Sequence, residues 1–340
     1  MARAVAQLPP ADLARCEDPA SLWSFGWSRG RERLSDGRPD TFKGSFYANP
    51  VLDDPNGPPA TEEEVRRFPG LFRPNVWPRE SGGVGEEEGS TAAPPGFRAA
   101  FLRLGAVVTE TGFLVARAVD ATVAALRLGG GAGSAGAGAG AGAGAQGAGL
   151  EAALRASRAH KARLLHYYAP DAPDVGSAAA DAGSSWCGRH TDHGSLTGLA
   201  SAMFHSEEGE EGEANAGAVV PSGAPGTDPA AGLYVETRAG VEARVVIPAD
   251  ALAFQLGEAA QVASGGLLRA TPHRVRAPRG GVGLVRCSRS TFACFLQPDA
   301  GAAMVAPAGM DEVAAVGVPR WVPGMTFGEF TEKTFADVYL

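Results

Sequence analysis

The spacing of hydrophobic positions changes along the chain. From Phe97 onward, apolar residues recur at steps of three and four, which places them on one face of a helix. The residues that keep this step are Phe97, Phe101, Leu104, Val108, Val115, Val119, Val123 and Leu126. The pattern predicts one long amphipathic helix over residues 97–128 and a shorter helix over residues 150–160.

A different pattern, alternation of apolar and polar residues, governs the chain beyond these helices. In residues 251–257, Leu252, Phe254 and Leu256 fall on one face of an extended segment. Similar short runs occupy residues 162–168, 196–204, 232–237, 243–247, 267–275, 282–286 and 292–296. Turn signals separate them roughly every 8–12 residues, which is typical of an all-β sandwich or barrel.

Four regions follow from these patterns. Turn signals and scattered aromatic residues near the start indicate short elements and loops that pack on the rest of the protein. We expect this flanking region over residues 1–96, supporting helices over 97–161, a β-barrel over 162–300 and a helical tail over 301–340.

Two segments of biased composition interrupt this order. Residues 129–149 are almost entirely Gly and Ala, and glycine costs roughly 1 kcal/mol per residue in a helix interior. Residues 206–231 are acidic and rich in small side chains. We therefore predict a flexible linker for the first segment and a disordered surface loop for the second.

Composition narrows the classes of partner and compartment. Of 340 residues, 44% are hydrophobic, so a sizeable core can form. The net charge is −8 and no basic run is present, which argues against a nucleic-acid partner. The four cysteines form no CxxC pair, which is typical of a reducing compartment. No apolar run or secretory signal stands out, so we expect a cytoplasmic protein that does not bind membranes; organelle targeting stays open. Nothing in the sequence implies a protein partner.

Three residues have the chemistry of a metal site. His190 and Asp192 are two positions apart, so an extended segment would direct both side chains to one face. His273 lies on a later predicted strand and supplies a third ligand. Two imidazoles and one carboxylate occupy one face of an octahedral metal and leave the opposite face open, as in non-haem Fe(II) oxygenases.

Arg289 and Thr291 form a second candidate group. They share one face of a predicted strand, and a guanidinium beside a hydroxyl suits the binding of a carboxylate. A buried arginine without an anionic partner is costly. If Arg289 points inward, the sequence therefore predicts an anion in the site.

Taken together, these motifs resemble a known family. The order H-x-D, a distal His and R-x-[ST] is similar to that of the 2-oxoglutarate- and Fe(II)-dependent dioxygenases, specifically the isopenicillin N synthase-like branch. Further resemblance lies in ARLLHYYAP, SRSTFACFLQP, KGSFYANP and the run from GLYVE to TPHRV. The resemblance covers about residues 20–340.

The resemblance implies a fold and a set of roles. The fold would be mainly β with flanking helices (α+β), a double-stranded β-helix or jelly roll. His190, Asp192 and His273 would bind Fe(II). Arg289 and Thr291 would hold the distal carboxylate of 2-oxoglutarate, and Tyr168 would donate a further hydrogen bond to it. With O2, such an enzyme oxidises a small organic molecule by hydroxylation, desaturation or cyclisation and releases succinate and CO2.

Several points of the sequence leave alternatives open. The spacing between His273 and the arginine is longer than in many members, so Arg286 is a rival carboxylate ligand. Family members often carry Asn where His166 stands. Two other hypotheses remain: a 2-oxoglutarate-independent iron oxidase whose Arg289 binds the substrate carboxylate, and a non-catalytic barrel. Cys187 has no visible partner in the sequence, and we expect a structural role for it.

Overall fold

The computed structural model describes residues 1–33, 37–53, 60–80, 92–129, 149–170, 185–207, 218–220, 227–278, 285–310 and 312–339. The predicted Gly/Ala linker at 129–149 lies almost wholly outside these residues. Much of the predicted loop at 206–231 and most of the predicted strand at 282–286 also lie outside them.

Two antiparallel sheets form the centre of the protein. The strands are β1 Gly26–Arg29, β2 Lys43–Ala48, β3 Lys161–Tyr167, β4 Ser185–His190, β5 Leu196–Ala200, β6 Met203–Ser206, β7 Val219–Val220, β8 Gly232–Glu236, β9 Glu242–Val245, β10 Leu252–Leu256, β11 His273–Arg276 and β12 Cys287–Leu296. Among the described residues, the larger sheet has the order β1-β2-β3-β12-β5-β10, with β6 and β7 continuing from β12. The smaller sheet has the order β4-β11-β8-β9.

A shared hydrophobic core holds the two sheets together. Leu165 and Phe204 of the larger sheet belong to the same buried cluster as Trp186, Leu233 and Val275 of the smaller one. Because side chains alternate along a strand, each strand presents one row to this layer and the other row to its outer face. The inner layer is where the two sheets meet, and it contains the site described below.

The helices lie on the outside of the sheets. They are α1 Ala2–Ala6, α2 Pro10–Arg15, α3 Glu62–Arg67, α4 Phe97–Gly129, α5 Leu150–Ala156, α6 Glu258–Ala263, α7 Val313–Val316 and α8 Phe327–Tyr339, together with a 3-10 turn at Pro19–Ser21. The long helix predicted over 97–128 corresponds to α4. Its phenylalanine at 101 packs edge-on against Phe292 of β12, with ring centroids 5.1 Å apart.

Glycine allows α4 to approach the sheet closely. A Cβ at Gly112 would lie 2.4 Å from Leu296 Cδ2, and one at Gly198 would lie 2.3 Å from Val108 Cγ1. Although no membrane span was expected from the sequence, Phe97–Arg127 contains an 18-residue window with mean hydropathy 1.5, apolar enough to cross a membrane by composition. In this structure 39% of that window is buried.

Several elements differ from the sequence-based expectation. The helix predicted over 150–160 ends at Ala156, because the backbone becomes extended at Ser157 before β3 begins. The run 196–204 is divided into β5 and β6, and residues 219–220, expected in a disordered loop, form β7 against β6. The short elements predicted in the N-terminal region include β1 and β2, which belong to the larger sheet because β2 pairs with β3.

A second buried cluster lies on the C-terminal side. It joins Phe327 and Phe330 of α8 and Trp321 to Phe68 and Phe72 from the N-terminal region. The short helix α6, which the alternation pattern did not predict, contributes Ala259 and Val262 to the same cluster. This packing brings the C-terminal segment close to the metal-site residues.

Candidate metal and carboxylate site

The three expected metal ligands meet at one end of the inner layer. His190 ends β4 and His273 begins β11, and the two residues are direct partners in the smaller sheet. Their ring centroids are 4.2 Å apart. Asp192 lies in the turn after β4, where its Oδ1 is 3.8 Å from His190 Nε2 and 3.9 Å from His273 Nε2. The three ligand atoms all lie within 4.8 Å of one another, close enough to hold one ion.

Hydrogen bonds orient the carboxylate of Asp192. Its Oδ2 accepts from Thr197 Oγ1 and from Gln255 Nε2, both at 2.6 Å. Burial by itself would raise the pKa of Asp192, but the neighbouring histidines and these two hydrogen bonds outweigh it and hold the pKa below its usual value. The group is therefore a carboxylate whose Oδ1 faces both imidazoles.

Backbone carbonyls orient the two imidazoles. His190 Nδ1 lies 2.8 Å from Gly188 O, and His273 Nδ1 lies 3.0 Å from Thr271 O. Because a carbonyl oxygen can only accept, each Nδ1 carries the proton, and each Nε2 is the atom that faces Asp192. This is the arrangement that a metal-binding histidine needs.

The protonation of the two histidines differs. Burial lowers the pKa of His273 despite the nearby Asp192, which favours the neutral ligand form. The side chain of His190 is 42% exposed. The partial burial of the imidazole would lower the pKa of His190, but the neighbouring Cys187 and Asp192 raise this pKa to about 9. A metal ion bound here would therefore have to displace a proton from His190.

Arg289 lies in the same cavity as these ligands, on the larger sheet. The residue is only 5% exposed, and among the residues that the structure describes neither its Nε nor its Nη1 has a hydrogen-bond partner. Burial lowers the pKa of Arg289, although arginine stays charged in proteins. A buried cation with unmet donors is costly unless an anion binds it, so this end of the cavity favours a carboxylate or another small anion.

Alternation along β12 places Thr291 beside Arg289 on the wall of the cavity. Its Oγ1 donates to Ala200 O at 3.2 Å, so the hydroxyl proton is already used within the sheet. Thr291 lines the cavity, and its expected role in holding a carboxylate stays a prediction.

The tyrosine expected to bind 2-oxoglutarate is not at the cavity. The hydroxyl of Tyr168 donates to Ala6 O at 3.1 Å, and its ring lies 3.9 Å beneath the Arg29 guanidinium, on the outer face. Its neighbour Tyr167 lines the cavity instead, because β3 pairs with β12 so that Tyr167 is opposite Arg289. Burial raises the pKa of Tyr167 to about 12, so its hydroxyl keeps its proton and can donate.

The rival arginine is also outside the cavity. Arg286 is exposed, and its Nε donates to Pro170 O at 3.0 Å. His166, at the position where family members often carry Asn, hydrogen-bonds to Ser290 Oγ at 3.1 Å on the outer face of the sheet. Of the two candidate arginines, only Arg289 therefore faces the metal ligands.

Cys187 has neighbours that the sequence did not reveal. Its Sγ lies 3.9 Å from Lys43 Nζ and 3.9 Å from His190 Nδ1. Burial would raise the pKa of the thiol, but these two cationic groups lower it to about 7. Lys43 comes from β2, far away in sequence, and its own charge is matched by Glu32 at 2.7 Å and Asp40 at 2.8 Å.

Side chains of both sheets line a cavity that is partly open to solvent. The metal ligands, Arg289 and Tyr167 all line it. Most of the remaining wall is apolar and includes Leu165, Leu199, Phe204, Leu233, Val245, Ile247, Val275 and Phe295. A cavity of this kind suits a small organic ligand held by a few polar groups.

The comparisons with known proteins bear on the fold. No protein-family model matches this sequence, and no curated protein matches it. Solved structures do match. A full-length Neurospora crassa protein in complex with alpha-KG is 18% identical with a TM-score of 0.58, over 98% of this chain and 80% of that one. A 2OG-Fe(II) oxygenase family protein from Caulobacter crescentus is 17% identical with a TM-score of 0.60, over 99% and 83%.

A rice dioxygenase for auxin oxidation is also similar, at 17% identity and a TM-score of 0.52, over 99% of this chain and 79% of that one. At such identities the likeness concerns the fold. The predicted mainly-β jelly roll with flanking helices is therefore confirmed, whereas the isopenicillin N synthase-like branch stays a prediction.

Proposed function

We propose that this chain is an Fe(II)- and 2-oxoglutarate-dependent oxygenase that oxidises a small organic molecule and releases succinate and CO2. One observation carries the proposal: the buried guanidinium of Arg289, whose Nε and Nη1 have no hydrogen-bond partner among the described residues, lies in the same cavity as His190, Asp192 and His273. The three ligands can bind a metal ion, and the arginine in addition needs an anion as its partner. 2-Oxoglutarate suits both ends, since it has a chelating 2-oxo acid group and a distal carboxylate.

The fold supports this proposal. The similar Neurospora crassa structure contains alpha-KG, and another structure of that protein contains alpha-KG and thymine. Those ligands are properties of that protein. For this chain they favour a 2-oxo acid co-substrate and a small-molecule substrate of a kind that the sequence does not identify.

Each residue of the site has a distinct role in this proposal. His190, Asp192 and His273 hold Fe(II), which together with 2-oxoglutarate and O2 supplies the oxidising chemistry when bound. Arg289 binds the distal carboxylate of the co-substrate, and Tyr167 donates to it. The apolar residues of the wall provide a binding surface for an organic substrate beside the metal ligands.

Hydrogen-bonded neighbours keep the ligands in place. Thr197 and Gln255 occupy Asp192 Oδ2, so that Oδ1 is presented to the metal. Such partners of metal ligands fix their orientation and tune the affinity of the site. The proposed chemistry therefore depends on residues beyond the three ligands themselves.

An anaerobic titration tests the proposal. Purified protein with Fe(II) is titrated with 2-oxoglutarate while visible absorption is recorded, because the bound chelate gives a weak charge-transfer band. We expect a saturable band, and we expect succinate when substrate and O2 are added. Tight Fe(II) binding without a band or succinate would favour the 2-oxoglutarate-independent oxidase. Failure to bind Fe(II) or Mn(II) would favour the non-catalytic barrel.

A cytoplasmic location remains part of the proposal. It is supported by the four cysteines, all of which are free thiols in the structure. Fractionation of cells that express the tagged full-length chain would test it, and recovery of the chain in an organelle would contradict it.

A further inference from the structure

Asp192 lies on a turn, so its position depends on whatever holds that turn. The backbone of residues 257–259 reaches the turn at three points. Gly257 N donates to Ser195 O at 2.9 Å, Glu258 N to Asp192 O at 2.8 Å, and Ala259 N to Gly194 O at 3.0 Å. A Cβ at Gly257 would lie 2.2 Å from Gly194 O, so only glycine permits this close approach. Residues 191–195, the metal-bearing turn, are thus held against the start of α6 by backbone hydrogen bonds.

The side chain of Glu258 adds a second attachment. Its Oε1 accepts from Thr191 Oγ1 at 2.6 Å, and its Oε2 forms an ion pair with Arg320 at 2.6 Å. Glu258 is buried. A charge-assisted hydrogen bond in such an environment is stronger than a neutral one. The carboxylate therefore connects the residue before Asp192 to an arginine of the C-terminal segment.

The C-terminal segment also contacts the other side of Asp192. The ring of His193 stacks on Phe327 of α8, with centroids 5.6 Å apart and planes 8° from parallel. The guanidinium of Arg320 lies 5.8 Å from the ring centroid of Phe330, one helical turn further along α8. Both neighbours of Asp192 in the sequence, Thr191 and His193, are thus tied to residues beyond position 319.

We propose that Glu258 is a positioning residue for the metal centre and that Arg320 holds it in place from the C-terminal segment. Glu258 fixes Thr191, and through it the backbone of Asp192, so that Oδ1 faces both imidazoles. The inference rests on the proposed function only in that the triad binds a divalent metal. It assigns to the C-terminal segment a role in metal affinity in addition to its packing.

Mn(II) binding to the full-length protein tests this role, with free Mn(II) measured by electron paramagnetic resonance. We expect Glu258→Gln to raise the Kd for Mn(II) about tenfold, the lower end of the range for outer partners of metal ligands. Arg320→Gln should raise it several-fold, and Arg320→Lys, which keeps the charge, should restore most of the affinity. The melting temperature of each metal-free variant is measured in parallel.

Arg67→Gln is the matched control. Arg67 also forms an ion pair with the C-terminal helix, at 3.2 Å to Glu329, but this pair is exposed and does not contact the metal-bearing turn. We expect its Kd for Mn(II) to equal that of the wild type. If Glu258→Gln does not fold, the comparison of Arg320→Gln, Arg320→Lys and Arg67→Gln decides.

The outcomes are distinguishable from those of the proposed function. Wild-type affinity in Glu258→Gln or in Arg320→Gln would overturn the inference, while the oxygenase proposal would stand. A second result would also overturn the inference: Arg320→Lys fails to restore the affinity, and the metal-free variants melt at a lower temperature. That combination indicates a general loss of stability. If the wild type binds no Mn(II), the proposed function and the inference both fail.

Discussion

The two ends of the cavity handle buried charge in opposite ways. At the metal end, the carboxylate of Asp192 faces two imidazoles, and its other oxygen accepts from Thr197 and Gln255. At the arginine end, Nε and Nη1 of Arg289 have no hydrogen-bond partner in the described part of the chain, and the ring centroid of Tyr167 lies 5.3 Å from the guanidinium. The described residues of the protein satisfy the charge at the metal end, whereas at the arginine end they leave two donors of a buried cation without an acceptor.

This difference shows which end is the stronger evidence for a ligand. Histidines beside an acid also occur as simple structural pairs. The proposed function therefore needs the geometry of the metal end, but this geometry by itself does not imply the function. An uncompensated buried cation is seldom kept for stability, because its desolvation is not repaid. The arginine end therefore carries more of the functional argument, and the following experiments separate the two ends.

The largest effect is expected at the metal end. Asp192→Ala removes the anionic member of the triad, and we expect the Kd for Mn(II) to rise more than about 100-fold, beyond the range for outer partners. Because Asp192 is a ligand and not part of the hydrophobic core, the metal-free variant should still fold. Asp250→Ala, which removes an exposed acid, is the control. Retention of Mn(II) affinity in Asp192→Ala would refute the ligand assignment.

The next effect concerns the arginine end. Arg289→Ala should raise the Kd for 2-oxoglutarate on the Mn(II)-loaded protein by about 10- to 100-fold, since a charged hydrogen bond contributes about 1.5–3 kcal/mol. Isothermal titration calorimetry under anaerobic conditions measures this, and Mn(II) affinity should not change. Arg286→Ala should bind 2-oxoglutarate as the wild type does; the opposite ranking of the two variants would transfer the role to Arg286.

Stability without co-substrate sharpens the same comparison. Arg289→Met replaces a buried charge, which has no ion-pair partner among the described residues, by an apolar side chain of similar length, so we expect a melting temperature at least as high as that of the wild type. Added 2-oxoglutarate should raise the melting temperature of the Mn(II)-loaded wild type only. A strongly destabilised Arg289→Met would instead indicate that Arg289 is a structural residue.

A smaller effect tests the choice between two adjacent tyrosines. Tyr167→Phe should weaken 2-oxoglutarate binding about fivefold, because one hydrogen bond contributes about 1 kcal/mol. Tyr168→Phe loses only its bond to Ala6 O and should leave the affinity unchanged. If Tyr168→Phe has the larger effect, the register between β3 and β12 described above is wrong.

The smallest effect lies away from both ends. His160 is 1% exposed, although nothing in the sequence required its burial, and its Nε2 donates to Leu154 O while its Nδ1 accepts from Gln297 N. Burial lowers its pKa to about 4, from 6.5 in the unfolded chain. The unfolded state therefore binds the proton more tightly, and the stability that neutral His160 contributes above pH 6.5 is lost as the pH falls toward 4.

We expect His160 to account for a loss of less than about 1 kcal/mol in the free energy of unfolding between pH 7 and pH 6. Urea denaturation at the two pH values measures it, and His160→Gln should show a correspondingly smaller change. An equal pH dependence in wild type and variant would contradict the assignment. The difference between wild type and His160→Gln gives the pH dependence that comes from this buried histidine, apart from that of the metal ligands.

Local patterns along the sequence were sufficient for some features. The three- and four-residue steps from Phe97 define α4, and the alternation from Leu252 to Leu256 defines β10, because periodicity alone distinguishes the two backbone conformations. The identities of His190, Asp192, His273 and Arg289 as candidates also came from residue type and spacing. These are properties that each segment carries without reference to the rest of the chain.

Tertiary structure alone decided the remaining features. The alternation of side chains along a strand predicts that Tyr167 and Tyr168 face opposite ways. The pairing of β3 with β12 decides which of them faces the cavity, because a shift by one residue exchanges the two faces. The orientation of Asp192 is likewise set by Gln255 and Glu258, more than sixty residues away in sequence. The sequence by itself thus determined which groups could react. Packing between distant segments determined which of them meet, because contact across a sheet depends on register and not on local spacing.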